Sequence, residues 1–264
     1  MKRNVTTTLV ISTYNWPEAL ELVLRSTFRQ TTLPDEIIIA DDGSGLGTRK
    51  LIEGLKQESP IPIRHFWHED KGFRKTVIMN KAIAAATGDY IIQIDGDILL
   101  HSKFIADHIN EAEKGYYIRG SRALLSPSKT FSVFSTKKLH IHALSMGVTN
   151  RINASRWPLL SKVLSKNRYK SNNLKGCNFS FWKEDFIAVN GYNNDLEGWG
   201  HEDIELAARL TNIDIKQRKL KMKAVCFHLH HEINSRHNQS INYNKYLEVV
   251  KYKVVKCKLG LELL

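Results

Sequence analysis

Several features that define other classes of protein are missing from this sequence. No run of about eighteen apolar residues occurs, which argues against a membrane-spanning helix. The first eight residues start basic but lack the apolar core and cleavage site of a signal peptide. The cysteines are three and widely spaced, Cys177, Cys226 and Cys257, which disfavours a disulfide framework or a zinc site. These absences predict a cytoplasmic chain with reduced thiols.

Two common nucleotide-binding patterns are also absent. The sequence contains neither a GxGxxG fingerprint nor a P-loop, so it indicates neither a dinucleotide site nor an ATP-hydrolysis site. With 264 residues, 42% of them hydrophobic, the chain is long enough to bury a substantial core.

Acidic residues are missing from one long segment. The net charge is +12, and residues 114–183 contain fourteen Lys or Arg but no Asp or Glu. This basic segment is interpreted either as a solvated surface or as an acceptor platform facing anionic headgroups or a polyphosphate-linked lipid. In the latter case the chain contacts the inner face of the membrane peripherally. No nucleic-acid reader motif accompanies the charge, so nucleic acid is not an expected partner.

The elements that are present alternate between strands and helices. Their spacing implies right-handed crossovers and an α/β fold with a doubly wound, mostly parallel sheet. The predicted strands are residues 7–12, 36–40, 61–67 and 90–94, and the predicted helices are a segment starting at Pro17, 47–57 and 75–86. Residues 243–264 read as an amphipathic helix that packs on the domain, lies on a membrane or forms a dimer contact.

Two acidic motifs lie about a hundred residues apart. Asp95-Gly96-Asp97 follows a buried strand and therefore lies at the carboxyl edge of the sheet, where open α/β folds bind ligands. Two carboxylates around a glycine can hold a hard divalent cation that bridges to phosphate oxygens. The second motif, residues 198–205, joins an aromatic side chain to a separate acidic cluster. Together they predict group transfer from a phosphorylated donor.

Four motifs, in this order, resemble the family-2 glycosyltransferases with the GT-A fold. They are Ser12-Thr13-Tyr14-Asn15, Ala40-Asp41-Asp42-Gly43-Ser44, Asp95-Gly96-Asp97 and Gly198-Trp199-Gly200-His201-Glu202-Asp203. The last of them is similar to the acceptor-side motif of galactosyltransferases and bacterial chondroitin polymerase domains. The resemblance covers about residues 5 to 235 and implies a bacterial polysaccharide or lipopolysaccharide glycosyltransferase that takes a UDP-sugar donor and a glycan or lipid-linked glycan acceptor.

The resemblance also implies how the chain is divided and which residues bind the donor. Residues 1–110 form the nucleotide-sugar half, 111–235 a basic, helical acceptor and catalytic half of the same domain, and 236–264 a helical tail. The residues assigned to the donor are Thr13, Tyr14, Asn15, Asp42, Arg74, Asn80, Asp95, Gly96 and Asp97. By its sequence alone, Asp42 is also interpreted as a turn residue, because Asp-Gly-Ser is common in turns.

The implied cofactor is Mn²⁺ or Mg²⁺, and its ligands come from both ends of the resemblance. Asp97 binds the ion directly and Asp95 contacts either ribose or the ion. A histidine from the cluster at residues 226–231 completes the set: His231 is favoured by its HxxH spacing, with His228 as the alternative and His230 also open. A structural role for any one of these histidines stays open too.

The expected general base is Asp203. An acceptor hydroxyl needs a carboxylate to take its proton as it attacks the anomeric carbon, and Glu202-Asp203 opens a helix next to Trp199 and Gly200. Trp199, Gly200 and Glu202 are assigned to the acceptor, although acids at a helix start also simply complement the helix dipole. No second carboxylate is placed as a nucleophile, which favours inversion. The alternatives are a sugar-nucleotide nucleotidyltransferase and a catalytically idle glycan-binding domain.

Overall fold

A computed structural model of the chain describes residues 5–169, 171–232 and 238–263. The basic start of the chain, Lys170 of the basic segment and Leu264 lie outside the described residues. The first elements are β1 (Thr7–Thr13), α1 (Pro17–Phe28), β2 (Glu36–Asp41), α2 (Leu46–Glu58), β3 (Ile63–Trp67), α3 (Lys75–Ala85) and β4 (Tyr90–Asp95). The predicted bounds agree with these to within two residues, except that no end was predicted for α1.

The remaining elements are shorter and lie mostly beyond the strand–helix alternation. They are β5 (Ile98–Leu100), α4 (Phe104–Glu111), β6 (Tyr116–Arg119), β7 (Ala123–Leu125), α5 (Pro127–Thr136), β8 (Val148–Thr149), α6 (Pro158–Leu164), β9 (Lys166–Arg168), β10 (Phe179–Trp182), α7 (Lys183–Ala188), α8 (Glu202–Asn212), β11 (Lys216–Lys219), β12 (Cys226–His228) and α9 (Gln239–Tyr252). In its described residues, the basic segment therefore contains two complete α-helices, α5 and α6, separated by short strands, a 3-10 turn and loops.

A sheet of eight strands in the order β3-β2-β1-β4-β10-β6-β11-β9 forms the centre of the fold. Its first four strands are parallel, whereas β10 runs antiparallel to both β4 and β6. A second sheet has the order β5-β12-β7-β8. The predicted α/β class with helices flanking a large sheet is confirmed, and the sheet that was predicted to be mostly parallel is mixed, with antiparallel pairs at β10 and β9.

Side chains of the central strands alternate between two hydrophobic cores. On β1, Leu9 and Ile11 point into the core under α1 and α2, while Val10 points into the core under α3 and α8. Because both faces are covered, these strands read as continuous apolar runs. The polar residues that follow them emerge together at the carboxyl edge of the sheet.

The C-terminal segment differs from its prediction. The helix α9 ends at Tyr252 instead of continuing through Leu264, because Lys253 adopts a left-handed conformation and its N–H caps the carbonyl of Val249. The chain then packs back on the domain, where Asn190 donates to the carbonyl of Cys257 and accepts from the N–H of Glu262. All three cysteines are free and buried.

A buried ion pair inside α8 gives a stability prediction. Arg209 and Glu205 are both fully buried, and the guanidinium donates to the carboxylate at 2.6 Å and also to the carbonyl of Val189. We expect Arg209→Met to lower the free energy of unfolding by about 3–5 kcal/mol, because it leaves an unpaired buried carboxylate. Chemical denaturation measures this change.

The matched control for Arg209→Met is Lys56→Met, which removes one partner of the exposed Lys56–Glu53 pair. Exposed pairs contribute little, so its effect should stay below about 1 kcal/mol. Equal losses of unfolding free energy in the two variants would contradict a larger contribution from the buried pair.

Candidate active site

One edge of the site is built by the parallel strands β1, β2 and β4. Their register pairs Thr13 with Asp41 and Ser12 with Asp95, which brings the predicted polar residues to one edge of the sheet. The turn after β4 lies directly against β1, since the Gly96 N–H donates to the Ser12 carbonyl at 2.7 Å. A Cβ at Gly96 would come within 2.9 Å of that oxygen, so the turn requires glycine.

A polar pocket surrounds Asp42 at the end of β2. Its carboxylate is buried and accepts from His68 Nε2 at 2.7 Å and from the Arg74 N–H at 3.1 Å. Burial raises the pKa of Asp42, and the contacts with His68 and Arg74 offset part of that rise. Each carboxylate oxygen has a second lone pair, so Asp42 can accept a further hydrogen bond from a ligand.

The loop after β1 forms the open side of this pocket. Tyr14 is half exposed and its hydroxyl donates to Asp70 at 2.9 Å. Asn15 has a positive φ of 45° and its side-chain oxygen accepts from the Gly45 N–H, so it fixes the loop. His68 and Asp70 were missed by sequence reasoning, and only their position just after β3 could have indicated them.

Lys75 connects the two acidic motifs. Its ammonium donates to Asp95 at 2.8 Å and lies 4.0 Å from Glu202. Burial alone would lower the pKa of Lys75, but the carboxylates of Asp95, Glu202 and Asp203 raise it well above its ordinary value. The lysine therefore keeps its positive charge. It lies between the carboxyl edge of the sheet and α8. Its place at the start of α3 gave no sequence signal for this role.

Asp97 lies with two histidines in a group suited to a metal ion. Asp97 Oδ2 is 3.4 Å from His228 Nε2 and 3.2 Å from His231 Nε2. One ligand atom from each residue falls within 4.8 Å of the others. Asp97 Oδ1 is buried without a hydrogen-bond partner, so it is free to bind a cation. The residues therefore fit the divalent ion that the sequence predicted.

The second sheet holds these ligands in place. β12 pairs with β5, which sets His228 opposite Ile98, and the Leu229 N–H donates to the Asp97 carbonyl at 3.0 Å. His231 Nδ1 donates to the Glu232 carbonyl and thereby directs Nε2 toward Asp97. The hydrogen bond with Asp97 raises the pKa of His231, whereas burial lowers that of His228.

Two other candidates lie elsewhere: Asp95, which was predicted to contact ribose or the ion, and His230, which was left open. Asp95 is outside the group of three, because its Oδ1 is held by Lys75 and by the Ser12 hydroxyl at 2.9 Å. His230 is exposed and its backbone N–H donates to Thr130. The structure therefore brings both His228 and His231 to Asp97, whereas the role of Asp95 as a ribose or metal contact stays a prediction.

Asp203 opens α8 and faces the same edge of the sheet. Its Oδ2 accepts from the Gly176 N–H at 2.7 Å, while Oδ1 is buried without a hydrogen-bond partner. Burial, reinforced by the nearby charge of Glu202, raises the pKa of Asp203 to about 7. A carboxyl group of this pKa can accept a proton near neutral pH and has one oxygen available to do so.

The loop before α8 and the segment before β10 together position Asp203. His201, Gly198 and Gly200 all have positive φ, which bends the chain sharply into the helix. A Cβ at Gly176 would approach Asp203 Oδ1 to 2.3 Å, so only glycine fits beside the carboxylate. Trp199 is half-buried in this bend. Gly176 was not predicted, and nothing local in the sequence indicated it.

Two predicted donor residues are engaged by the protein itself. Asn80 is fully buried, and its side chain holds the Tyr192 backbone and Asn194. Its assignment as a donor contact stays a prediction. The Arg74 guanidinium donates to the Glu69 carbonyl at 2.6 Å while its Nε is buried without a partner. A diphosphate contact by Arg74 stays a prediction.

Among the described helices, none is both long and apolar enough to span a bilayer.

Two family profiles together cover almost all residues of the site described above. The profile of glycosyl transferase family 2 matches residues 8–172, and that of the N-terminal domain of galactosyltransferase matches residues 160–232. A chondroitin synthase from Escherichia coli is 25% identical over 218 residues, which are 76% of this chain and 32% of that protein. A validoxylamine A glucosyltransferase from Streptomyces hygroscopicus subsp. limoneus is 26% identical over 224 residues, 76% of this chain and 47% of that protein.

Solved structures share the fold at low identity. GalNAc-T7 with UDP, GalNAc and Mn²⁺ has a TM-score of 0.67 at 15% identity, covering 94% of this chain and 48% of that chain. The mannosyltransferase PcManGT from Pyrobaculum calidifontis, in complex with GDP-Man and Mn²⁺, has a TM-score of 0.59 at 15% identity, covering 95% and 72%. The chain thus spans 32% and 47% of the lengths of the two relatives compared by sequence above.

Proposed function

The chain belongs to glycosyl transferase family 2 and is a glycosyltransferase, and from that premise we propose that it is an inverting, metal-assisted enzyme. It transfers a hexose or N-acetylhexosamine from a UDP-sugar to a glycan or lipid-linked glycan in cell-surface polysaccharide biosynthesis. The observation that carries this proposal is the buried Asp203 carboxyl, which has one oxygen free and a pKa of about 7.

The proposed reaction is a single displacement. The acceptor hydroxyl gives its proton to Asp203 Oδ1 while its oxygen forms a bond to the anomeric carbon. The bond from that carbon to the donor phosphate breaks, and the nucleoside diphosphate leaves with the electron pair. Lys75, fixed as a cation by Asp95 and Glu202, places positive charge beside this edge of the sheet.

Asp97, His228 and His231 would hold the divalent ion in this proposal. When bound, the ion supplies Lewis-acid stabilisation of negative charge on the departing diphosphate. Two imidazole nitrogens beside one carboxylate suit Mn²⁺ better than Mg²⁺, which prefers oxygen ligands. Mn²⁺ is also present in both solved structures compared above.

The pocket around Asp42 is the proposed uracil site. A buried carboxylate with a spare lone pair can accept the imide N–H of uracil, and Tyr14 offers an exposed ring beside it. Of the two structures compared above, one contains UDP and the other GDP-Man, so the base must be tested directly.

A donor panel tests the proposed function. Release of nucleoside diphosphate is measured for UDP-, GDP- and dTDP-sugars with and without Mn²⁺, and NMR of the product gives the anomeric configuration. We expect a UDP-sugar to be cleaved fastest, only with metal, and transferred with inversion. Absence of turnover for every donor, or retention of configuration, would contradict the proposal.

The pKa of Asp203 predicts the pH dependence of the reaction. A general base works when it is deprotonated, so kcat/KM should fall about tenfold per pH unit below pH 7 and level off above it. Because the Glu202 charge raises this pKa, Glu202→Gln should shift the profile to lower pH. If kcat/KM stayed constant within assay error between about pH 5 and about pH 8, the assignment of Asp203 as the base would be contradicted.

The exposed face of α6 is the proposed site of peripheral membrane contact on the inner face. Leu159 and Val163 are 82% and 77% exposed, and Lys162 and Lys166 lie beside them in the sequence. Apolar side chains flanked by lysines are typical of helices that lie on anionic lipid.

We expect Leu159→Ser/Val163→Ser to reduce co-sedimentation with vesicles that contain an anionic lipid several-fold. The control is Ile187→Ser, which removes an exposed apolar side chain of α7. Equal binding of the wild type to anionic and purely zwitterionic vesicles, or no binding to either, would contradict the membrane contact.

A further inference from the structure

A cavity of about 180 Å³ lies at the acceptor-side end of the large sheet. Among the described residues, five cationic side chains and no carboxylate line it: the cations are Arg119, Arg122, Lys175, Lys219 and Lys221. Arg119 and Lys219 come from the neighbouring strands β6 and β11, which the register pairs directly. This cavity is called the basic pocket below. Its volume is ample for a carboxylate, sulfate or phosphate group.

The charges of the basic pocket are incompletely neutralised by the protein. Arg119 Nε and Nη1 are buried without a hydrogen-bond partner. Arg122 Nη1 donates to the thiol of Cys177 at 2.9 Å, and the Lys221 ammonium donates to Asn153 at 3.3 Å. These hydrogen-bond partners are neutral. The carboxylate of Asp95 contributes to a raised pKa of Arg122, whereas no carboxylate acts in this way on Arg119, Lys175 or Lys219 among the described residues. Buried guanidinium groups are normally paired, and leaving them unpaired is costly.

Neighbouring cations act on one another in this pocket. Burial, followed by the charges of Arg119 and Lys221, lowers the pKa of Lys219. Burial, followed by the charge of Arg122, lowers the pKa of Lys175. Both shifts are what uncompensated positive charge produces, and a bound anion would reverse them.

The basic pocket adjoins the proposed general base and lies beyond it in the sheet, away from the proposed uracil site. Gly176 donates to Asp203, and the residues on either side of it, Lys175 and Cys177, line the pocket. In the large sheet, β6 and β11 lie beyond β10, whereas the uracil site lies near β1 to β3. A group in this pocket therefore belongs to a molecule that approaches Asp203 from the acceptor side.

We infer that the basic pocket binds an anionic group, a carboxylate, sulfate or phosphate, of the acceptor glycan. The inference rests on the proposed function, because it takes Asp203 as the group that meets the acceptor. It identifies the acceptor class as an anionic polymer and assigns part of the basic segment to substrate binding. The guanidinium groups are suited to such oxyanions because their donors match two oxygens at once.

The test uses three hexasaccharides of one backbone, titrated calorimetrically in the presence of UDP and Mn²⁺. They are chondroitin, its sulfated form and its carboxyl-reduced form, chosen because chondroitin synthases are among the relatives of this chain. We expect both anionic forms to bind the wild type at least tenfold more tightly than the reduced form. Equal affinity for the three, or no binding by any, would overturn the inference.

Variants then locate the binding. Lys219→Met/Lys221→Met should weaken the binding of the anionic hexasaccharides about tenfold or more. Arg119→Gln serves as a second variant if the first one unfolds. The matched control Lys137→Met/Lys138→Met removes two exposed lysines of the basic segment outside the pocket and should leave the affinity unchanged. Equal losses of affinity in the variant and the control would show general charge attraction. They would overturn the assignment of the anion to the basic pocket.

A second titration tests whether the bound anion belongs to the donor sugar instead of the acceptor. UDP-glucuronic acid and UDP-glucose are titrated against the wild type and Lys219→Met/Lys221→Met. Loss confined to UDP-glucuronic acid would assign the anion to the donor sugar and overturn the acceptor assignment. Hydrolysis of UDP-sugars by the wild type tests the proposed function separately, since these titrations need no turnover.

Discussion

Replacing Asp203 with Asn is expected to lower kcat by on the order of 10²–10⁴-fold, the usual contribution of a general base. Asn is nearly isosteric and its side-chain oxygen can still accept from the Gly176 N–H, so the loop should keep its geometry. What disappears is the free oxygen that takes the acceptor proton. Steady-state transfer with saturating donor measures the effect, and the affinity for UDP should stay within about twofold because Asp203 lies apart from the uracil site.

The control for Asp203→Asn is Asp195→Asn, which removes an exposed carboxylate paired with Lys245 at 2.7 Å. It should leave kcat unchanged. If Asp203→Asn retained most of the activity, or lost UDP binding in parallel with kcat, the carboxyl group would not be the base.

The same variant has an independent readout in stability. Folding raises the pKa of Asp203 above its unfolded value, so the folded state is penalised as pH rises from about 4 through 7. A neutral Asn removes that penalty. The variant should therefore unfold a few degrees above the wild type at pH 8, and the two should converge at pH 4. A gain in stability with a loss of activity separates a catalytic role from misfolding.

The predictable part of the fold is the part with local signals. β1, β2 and β4 are continuous apolar runs that end in polar turns, and Pro17 begins α1 as the spacing predicted. Parallel strands then bring their ends to one edge, so the donor side of the site follows from the order of the elements. The helix at residues 243–264 was wrong in extent because its end depends on the left-handed conformation of Lys253.

The unpredictable part of the site depends on contacts between distant residues. Lys75 reaches Asp95 and Glu202, and Asp203 is held by Gly176, yet none of these pairs is close in sequence. Asn80 lies in a donor-like segment, but its side chain is satisfied by residues more than a hundred positions away. Long-range polar partners of this kind leave no periodic pattern in the sequence, and only packing reveals them.

Replacing Asp97 with Ala is expected to abolish metal-dependent turnover and to weaken Mn²⁺ binding by at least 10–100-fold, the loss typical even of residues that only support a ligand. Asp97 touches both histidines and has a buried oxygen with no other partner, so its removal takes away the centre of the group. Free Mn²⁺ is followed by electron paramagnetic resonance during titration in the presence of UDP. Chelation of the metal from the wild type should produce the same loss of turnover.

Neighbouring variants decide which residues bind the ion. His228→Ala and His231→Ala should each weaken Mn²⁺ binding, whereas His230→Ala, which changes an exposed histidine of the same cluster, should not. Asp95→Asn distinguishes two assignments of the acidic motif: because Lys75 and Ser12 hold Asp95 Oδ1, Mn²⁺ affinity should be nearly retained while turnover falls. A loss of Mn²⁺ binding in Asp95→Asn as large as in Asp97→Ala would show that both carboxylates bind the ion, and that the pair with Lys75 opens when substrate arrives.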